Sequence, residues 1–195
     1  MREFIYFSNH AVTSGKALSG DLMKAGRMDI AVHSIIAAFF LSHDFRKDVK
    51  MHLIFYGMPD PPKHIEIQVT DELEISKKDI AGLIQKILYK YREGKRTEIL
   101  PGCFVEKKSF LNVVQGLMDE GKEIFILDKK GEDIRELKTK EIENGVFILG
   151  DQDGLPDKEM KRLKKTCRMV SLGPKIYFAS QSVVVVNNEL DRRGI

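Results

Sequence analysis

Two apolar runs near the C-terminus each end in a polar loop that contains glycine, and this pairing constrains the fold more than any other feature. The first run covers residues 146–149 and leads into the loop 150–156; the second covers 168–172 and leads into 173–175. A strand that stops at glycine exposes its backbone, because no Cβ blocks the approach of a ligand. Two such strand ends lying side by side predict a backbone-lined pocket for a flat, uncharged heterocycle.

Length and composition limit the class of protein. The chain has 195 residues, of which 43% are hydrophobic and 31% charged, a balance typical of one globular domain. A net charge of +3 does not by itself require a nucleic-acid partner, so any basic surface must come from local clusters. No apolar run approaches the roughly 18 residues that span a bilayer, and the first residues lack the pattern of a signal peptide. We expect a single domain over 1–195, in the cytoplasm and without a membrane partner.

The spacing of cysteine and histidine argues against a metal. Cys103 and Cys167 are far apart in the chain and lack the spacing of metal ligands, which favours two free thiols in a reducing cytosol. The five histidines form no His-x-His or His-Glu-x-x-His pattern. The sequence therefore predicts no metal cofactor.

Strands and helices alternate along the chain. Apolar or alternating runs predict strands at 4–7, 51–56, 65–69, 123–127, 146–149 and 169–171, with 65–69 at a sheet edge. Helical spacing predicts helices at 28–41, from a Ser76 cap to 88, at 110–118 and from Pro156 onward. Residues 129–144 are charged and turn-rich and indicate an insertion or hairpin. This order predicts an α/β fold with a largely parallel sheet flanked by helices, whose ligands lie at the carboxyl ends of the strands.

Two segments leave their structure open. Residues 176–193 contain four consecutive valines, which favour a strand by propensity, yet their apolar residues recur every three or four positions, which favours a helix. The two alternatives are close to even. Residues 9–27 lack any clear period, and a loop of this length is usually either functional or mobile.

The glycine loops carry a resemblance to a known family. Residues 148–156, followed by 170–175 and a long terminal segment, resemble the SPOUT class of RNA methyltransferases. In that class the C-terminal chain passes through a loop to form a deep trefoil knot that binds S-adenosylmethionine. The resemblance implies such a knot within about 123–193, a helix at 176–193 and a homodimer, despite the general rarity of knots.

A narrower resemblance concerns the acceptor. Arg27-x-Asp29, opening a helix after a long loop, is similar to the arginine–x–aspartate element of the SPOUT members that methylate N1 of pseudouridine, as at position 54 in the tRNA T-arm. The early asparagine–x–x–x–arginine element of the ribose methylases is missing from its expected setting, which argues against a 2′-O target. Alternatives are an enzyme for pseudouridine in ribosomal RNA, a non-catalytic RNA-binding or ribosome-assembly protein, and a nucleotide-binding α/β protein without a knot.

The proposed chemistry assigns roles to particular residues. Pseudouridine N1 is an imide-like N–H and a poor nucleophile until its proton leaves, so a carboxylate and an arginine beside it would help. Asp29 and Arg27 are the catalytic candidates, although a purely structural ion pair is the alternative. His33 is interpreted as a core histidine and left out of the catalytic set. Lys16, Lys24 and Arg27 are the candidates for RNA contacts. The predicted cofactor-binding residues are Leu127, Gly150, Ser171, Leu172, Gly173, Pro174, Lys175, Ile176 and Tyr177.

Overall fold

The computed structural model describes residues 1–18, 20–73 and 75–195 and contains one eight-stranded sheet. The strands are β1 (Arg2–Ser8), β2 (Val49–Phe55), β3 (Lys63–Gln68), β4 (Thr97–Leu100), β5 (Cys103–Glu106), β6 (Glu123–Asp133), β7 (Gly145–Gly150) and β8 (Arg168–Ser171). The helices are α1 (Met28–Phe39), α2 (Ile80–Tyr89), α3 (Phe110–Asp119), α4 (Thr139–Ile142), α5 (Asp157–Leu163) and α6 (Ala179–Arg193). The strand order is β4-β5-β3-β2-β1-β7-β6-β8.

The sheet confirms the predicted α/β class. Strands β2, β1, β7, β6 and β8 run parallel, and β3, β5 and β4 extend the sheet with antiparallel pairs. Helices cover both faces, because the side chains of a strand point alternately to either side. In β1, Phe4 and Tyr6 join the core under α1, α2 and α6, whereas Ile5 and Phe7 join the core that contains α3 residues.

Four details of the predicted order were wrong. Residues 65–69 do not form an edge strand, because β3 lies between β2 and β5 and the edges are β4 and β8. The β4–β5 hairpin was missed. The segment 129–144 is neither an insertion nor a hairpin: β6 continues through it to Asp133, and a 3-10 helix and α4 follow. Helix α2 begins at Ile80 with Asp79, not Ser76, in the cap position.

The C-terminal segment forms the helix α6. Val183, Val186 and Leu190 are buried on one of its faces, which packs against α1. Valine lowers intrinsic helix propensity by less than about 1 kcal/mol per residue. Burial of an aliphatic side chain, however, stabilises by about 1.5–3 kcal/mol. Packing therefore outweighs the strand preference of the valine run.

The long loop before α1 is folded back on the sheet through backbone contacts. Thr13 donates from Oγ1 to the carbonyl of Gly57 at 2.8 Å, and the Val12 amide donates to the carbonyl of Ala25 at 3.3 Å. A Cβ on Gly26, whose φ is 70°, would lie 1.7 Å from the His10 carbonyl oxygen. The described part of this loop, which excludes Ser19, thus delivers residue 27 to the cavity described below.

The structure also bears on the predictions for the cysteines and for membrane-spanning segments. Cys103 is buried and Cys167 partly buried, and both are free thiols. Burial raises the pKa of the Cys103 thiol to about 12, so this side chain is unreactive. No helix among residues 1–18, 20–73 and 75–195 is both long and apolar enough to cross a membrane.

Candidate active site

The larger of two adjoining cavities lies at the carboxyl ends of the central parallel strands. Its volume is about 600 Å³, within the range of sites for small organic ligands. Gly150 at the end of β7 and Leu127 in β6 line it from the sheet, and Arg27 and Asp29 line it from the start of α1. The first residues of α6 close a further side. This is the edge of the sheet at which the sequence predicted a ligand.

A smaller cavity of about 290 Å³ adjoins the first and contains the second glycine loop. Leu127, Ile176 and Tyr177 line both cavities, and Gly173 lines the smaller one. The two loops therefore lie on either side of a shared apolar wall. The predicted cofactor residues that line at least one cavity are Leu127, Gly150, Leu172, Gly173, Lys175, Ile176 and Tyr177.

Two predicted cofactor residues have a different place. Ser171 and Pro174 line neither cavity. Ser171 is 8% exposed, and its Oγ accepts a hydrogen bond from the Gly173 amide at 3.1 Å. Ser171 therefore holds the shape of the loop rather than facing the space beside it.

The glycines are required by turn geometry, which the sequence offered as the alternative to ligand binding. A Cβ on Gly150 would lie 2.5 Å from the Gly154 carbonyl carbon, because the loop 150–154 turns back on itself. Gly173 has open space around it, but its φ of 124° disfavours any side chain. The structure thus attributes the first glycine to a tight turn and the second to backbone conformation, rather than to room for a ligand.

Arg27 and Asp29 form a two-pronged pair at the mouth of the larger cavity. Arg27 Nε and Nη2 each donate to one carboxylate oxygen of Asp29 at 3.0 Å. These hydrogen bonds lower the pKa of the Asp29 carboxyl and raise that of Arg27. Arg27 precedes α1 with φ 60°, a left-handed conformation that is uncommon outside glycine and clusters at functional sites. The backbone therefore adopts a costly conformation at the residue that carries this guanidinium.

Asp151 is a cavity residue that the sequence analysis passed over. It is 9% exposed, its amide donates to the Phe7 carbonyl at 3.0 Å, and its Oδ1 accepts from the Asp153 amide at 2.9 Å. Its Oδ2 is buried and has no hydrogen-bond partner among the described residues. Burial raises the pKa of the nearby Tyr6 hydroxyl, and the charge of Asp151 adds to this effect. The sequence offered only an aspartate after a strand, which is common in loops.

Three other candidates lie in unexpected surroundings. His33 is exposed and lines the larger cavity, so its interpretation as a core histidine was wrong. Lys16 and Lys24 are exposed but line neither cavity. Lys24 Nζ lies 3.7 Å from an Asp21 oxygen. Next to Lys16, the carbonyl of Gly15 accepts a hydrogen bond from the Gln85 side chain of α2. The fold therefore brings Arg27 and Asp29 to the cavity without these two lysines.

The fold also brings together histidines that the spacing of the sequence kept apart. His52, His64 and Glu66 place one possible metal-ligating atom each within 4.8 Å of one another. The facing nitrogens of the two rings are 2.9 Å apart, and each ring also contacts a carboxylate, of Glu3 and Glu106 respectively. This cluster spans adjacent strands, which a linear motif cannot reveal.

Comparison with known proteins agrees with this class of site. The chain belongs to the family of SAM-dependent RNA methyltransferases, whose model matches residues 1–195. The predicted place in the SPOUT class is thereby confirmed. Two curated relatives are named tRNA (pseudouridine(54)-N(1))-methyltransferase. That of Methanocaldococcus jannaschii is 34% identical and covers 100% of this chain and 98% of its own. That of Methanocella arvoryzae is 38% identical and covers 99% and 100%.

A solved structure supports the fold. The chain is similar to Archaeoglobus fulgidus Nep1 bound to S-adenosylhomocysteine, with a TM-score of 0.63 and 16% sequence identity. The match covers 100% of this chain and 99% of the other. At this identity the likeness concerns the arrangement of strands and helices.

The residues of the two cavities fit S-adenosylmethionine, the cofactor of the family. Leu127, Ile176 and Tyr177 supply apolar surface to both cavities. The adjacent loops supply backbone N–H and C=O groups, which recognise an uncharged heterocycle by hydrogen bonds. Small-molecule sites commonly combine an apolar lining with a few polar groups in this way.

Proposed function

We propose that this protein transfers the methyl group of S-adenosylmethionine to N1 of pseudouridine-54 in tRNA. The names of the full-length relatives support this substrate. The observation that carries the proposal is the position of the Arg27–Asp29 pair. It lies on the same cavity as Gly150, so a group for the acceptor and a loop for the cofactor meet at one site.

Methyl transfer to N1 requires two things of the protein. S-adenosylmethionine supplies an electrophilic methyl group on a sulfonium, so the protein must align the acceptor and manage one proton. As N1 loses its proton, negative charge develops on the ring and its carbonyl oxygens. The Arg27 guanidinium stabilises that charge, because an arginine fixed before the reaction needs no reorganisation during it. Asp29 holds the guanidinium in its orientation through two hydrogen bonds.

The cofactor is proposed to bind along the shared wall of the two cavities. The contacts that line them support roles for Leu127, Gly150, Leu172, Gly173, Lys175, Ile176 and Tyr177. Ser171 and Pro174 would act through the shape of the loop. Residues about 123–193 would form the trefoil-knotted half of one SPOUT domain that covers 1–195, which the single continuous sheet supports.

RNA contacts are proposed for Lys16, Lys24 and Arg27. Arg27 lies at the cavity, whereas the two lysines would grip phosphates farther from the acceptor base. Each phosphate contact of this kind makes binding more sensitive to salt, because it releases a bound counterion.

Assembly as a homodimer and a cytoplasmic location complete the proposal. Ile176 and Phe178 lie beside the larger cavity and are 80% and 77% exposed, so a second copy that covers them would remove apolar surface from water. Two free cysteines suit the reducing cytoplasm, where tRNA is modified. Sedimentation of the wild type and of Phe178→Ser tests the dimer; a monomeric wild type would contradict it.

The decisive experiment is methyl transfer to tRNA transcripts that carry either uridine or pseudouridine at position 54. We expect transfer to pseudouridine alone, with N1-methylpseudouridine identified by mass spectrometry of the nucleosides. Equal transfer to uridine would refute the proposed acceptor, and transfer only to pseudouridine in ribosomal RNA fragments would move the substrate class. Calorimetry with S-adenosylmethionine accompanies the assay. Lack of binding would favour a non-catalytic RNA-binding role.

A further inference from the structure

Two carboxylates line the larger cavity, and their hydrogen bonds differ. Both oxygens of Asp29 accept hydrogen bonds from Arg27 at 3.0 Å. Asp151 uses only Oδ1, which accepts from the Asp153 amide, and its Oδ2 is buried without a partner among the described residues. Buried oxygen atoms almost always have hydrogen-bond partners in folded proteins. The hydroxyls of Tyr6, Thr70 and Tyr91 are also buried without a partner among the described residues, but these three residues line neither cavity. Asp151 differs from them because it lines the larger cavity, where a bound ligand can supply the missing donor.

The hydrogen bonds of Asp29 make it a weak proton acceptor. Its pKa is lowered, chiefly by the hydrogen bonds from Arg27. A carboxylate that accepted a proton here would lose much of this interaction, which opposes the transfer. Asp29 therefore suits the task of orienting Arg27 better than that of taking a proton.

The position of Asp151 is fixed by the sheet. Its amide donates to the Phe7 carbonyl at 3.0 Å, which extends the parallel pairing of β1 and β7 by one residue. The Asp153 amide then fixes the carboxylate through Oδ1. The free oxygen is thus held by rigid elements, as general acid–base catalysis requires.

We propose that Asp151, rather than Asp29, accepts the N1 proton of the pseudouridine ring. This assignment rests on the proposed function. In the step, the N1–H bond breaks and its proton moves to Oδ2 of Asp151. The electron pair left on N1 forms the new bond to the methyl carbon, and the electrons of the broken carbon–sulfur bond remain on sulfur as a neutral thioether. A base in this position typically contributes about 10²–10⁴-fold to the rate.

The first test replaces Asp151 by asparagine, which keeps an oxygen to accept from the Asp153 amide but removes the charge. We expect Asp151→Asn to slow single-turnover methyl transfer by about 10²–10⁴-fold. Binding of S-adenosylhomocysteine, measured by calorimetry, should stay within a few-fold of wild type. The melting temperature should be unchanged or higher, because a buried charge with an unpartnered oxygen is removed. Asp153→Asn, in the same loop but outside the cavity, serves as the matched control and should retain wild-type rates.

The second test is chemical rescue. In Asp151→Ala the missing carboxylate leaves space, and added formate should restore part of the lost rate, whereas Asp29→Ala should not respond. Near wild-type rates in Asp151→Asn, or a loss of cofactor binding that accounts for the loss of rate, would overturn the assignment. So would rescue of Asp29→Ala alone. A wild-type protein that methylates no pseudouridine-containing RNA refutes the proposed function instead, so the two failures are distinguishable.

Discussion

Two polar clusters, one at the carboxyl ends of the central strands and one on a face of the sheet, differ in how fully their atoms are hydrogen-bonded. The cavity cluster consists of Arg27, Asp29 and Asp151. The histidine chain consists of Glu3, His52, His64 and Glu106, which the alternation of β1 places on the face opposite Tyr6. Both sit next to a hydrophobic core, where an unpaired polar atom is costly.

The histidine chain satisfies its atoms within the protein. Glu3 contacts His52 at 3.1 Å, the two histidine rings meet at 2.9 Å, and His64 contacts Glu106 at 2.9 Å. A neutral His64 that carries its proton on Nδ1 donates to Glu106 and accepts from His52 at Nε2. Lys122 adds an ion pair to Glu3 at 2.6 Å. Each ring nitrogen of the two histidines therefore has a partner within the protein.

The cavity cluster leaves Oδ2 of Asp151 without a hydrogen-bond partner among the described residues, and it holds Arg27 in a left-handed conformation. An unsatisfied buried atom costs about 1–3 kcal/mol, and a left-handed non-glycine residue costs about 1 kcal/mol or more. Buried charge alone therefore does not identify a site in this protein. Among the described residues, completeness of hydrogen bonding separates the histidine chain from the cavity cluster.

The largest effect is expected from breaking the histidine chain. His52→Ala leaves His64 and Glu3 without a buried partner, which should lower the free energy of unfolding by about 3–5 kcal/mol. Urea denaturation measures this. The exposed His43→Ala is the control and should change little. Methyl transfer below the unfolding transition should persist in His52→Ala; a large loss there would place the chain in the catalytic machinery.

Removal of the arginine of the cavity cluster should act on rate instead. Arg27→Ala is expected to lower kcat by about 10²–10³-fold, since a fixed donor to developing charge is lost. The free energy of unfolding should change little. The surface pair of Arg135 and Asp133 has the same spacing and two hydrogen bonds, so Arg135→Ala is a matched control. A rate loss in Arg27→Ala no larger than in the control would remove Arg27 from the site.

The pH dependence of stability probes the histidine chain further. Burial lowers the pKa of His64 from 6.5 to about 4, so the folded protein keeps this ring neutral where the unfolded chain binds a proton. Stability from this group is therefore present above about pH 6.5 and is lost, by up to about 3 kcal/mol, as the pH falls toward 4. His64→Gln should show a flatter profile in urea titrations. A wild type that gains stability across this window would contradict the neutral ring.

The smallest effect isolates backbone strain. Arg27→Gly and Arg27→Ala both lack the guanidinium, but only glycine adopts φ 60° freely. The glycine variant should be more stable than the alanine variant by about 1 kcal/mol in urea denaturation. Equal stability of the two variants would show that the conformation at this position carries little strain.

Local patterns predicted much of the fold. Apolar runs located the parallel strands, and periodicity located α1 and α3, because both signals depend on neighbours within a few residues. The edge assignment of 65–69 failed because an alternating pattern shows only that one face of a strand is more polar. It does not show whether the strand has a neighbour on both sides, as β3 has. The β4–β5 hairpin was missed although its strands are neighbours in sequence, because each has only 4 residues and gives a weak periodic signal. The extension of β6 past Leu127 was missed because it pairs with β8, which is distant in sequence.

The candidate site could be predicted from local sequence patterns only in part. Glycine loops and the Arg27-x-Asp29 element were visible, and the structure places the first loop and Arg27-x-Asp29 on the larger cavity and the second loop on the adjoining one. The importance of Asp151 could not be inferred from its type, because many loops begin with aspartate. Only burial and the lack of a partner distinguish it. Conversely, Lys16 and Lys24 looked close to the acceptor because they precede Arg27, yet they line neither cavity.

The sequence by itself determined the alternation of strands and helices, the two glycine turns and the family, because these depend on residue type and short spacing. The tertiary structure decided which polar groups have all their hydrogen-bond partners within the protein. It joined His52 to His64 across neighbouring strands, tied both oxygens of Asp29 to Arg27, and left Oδ2 of Asp151 without a partner among the described residues. Hydrogen bonding is a property of positions in space, and distance along the chain does not determine it.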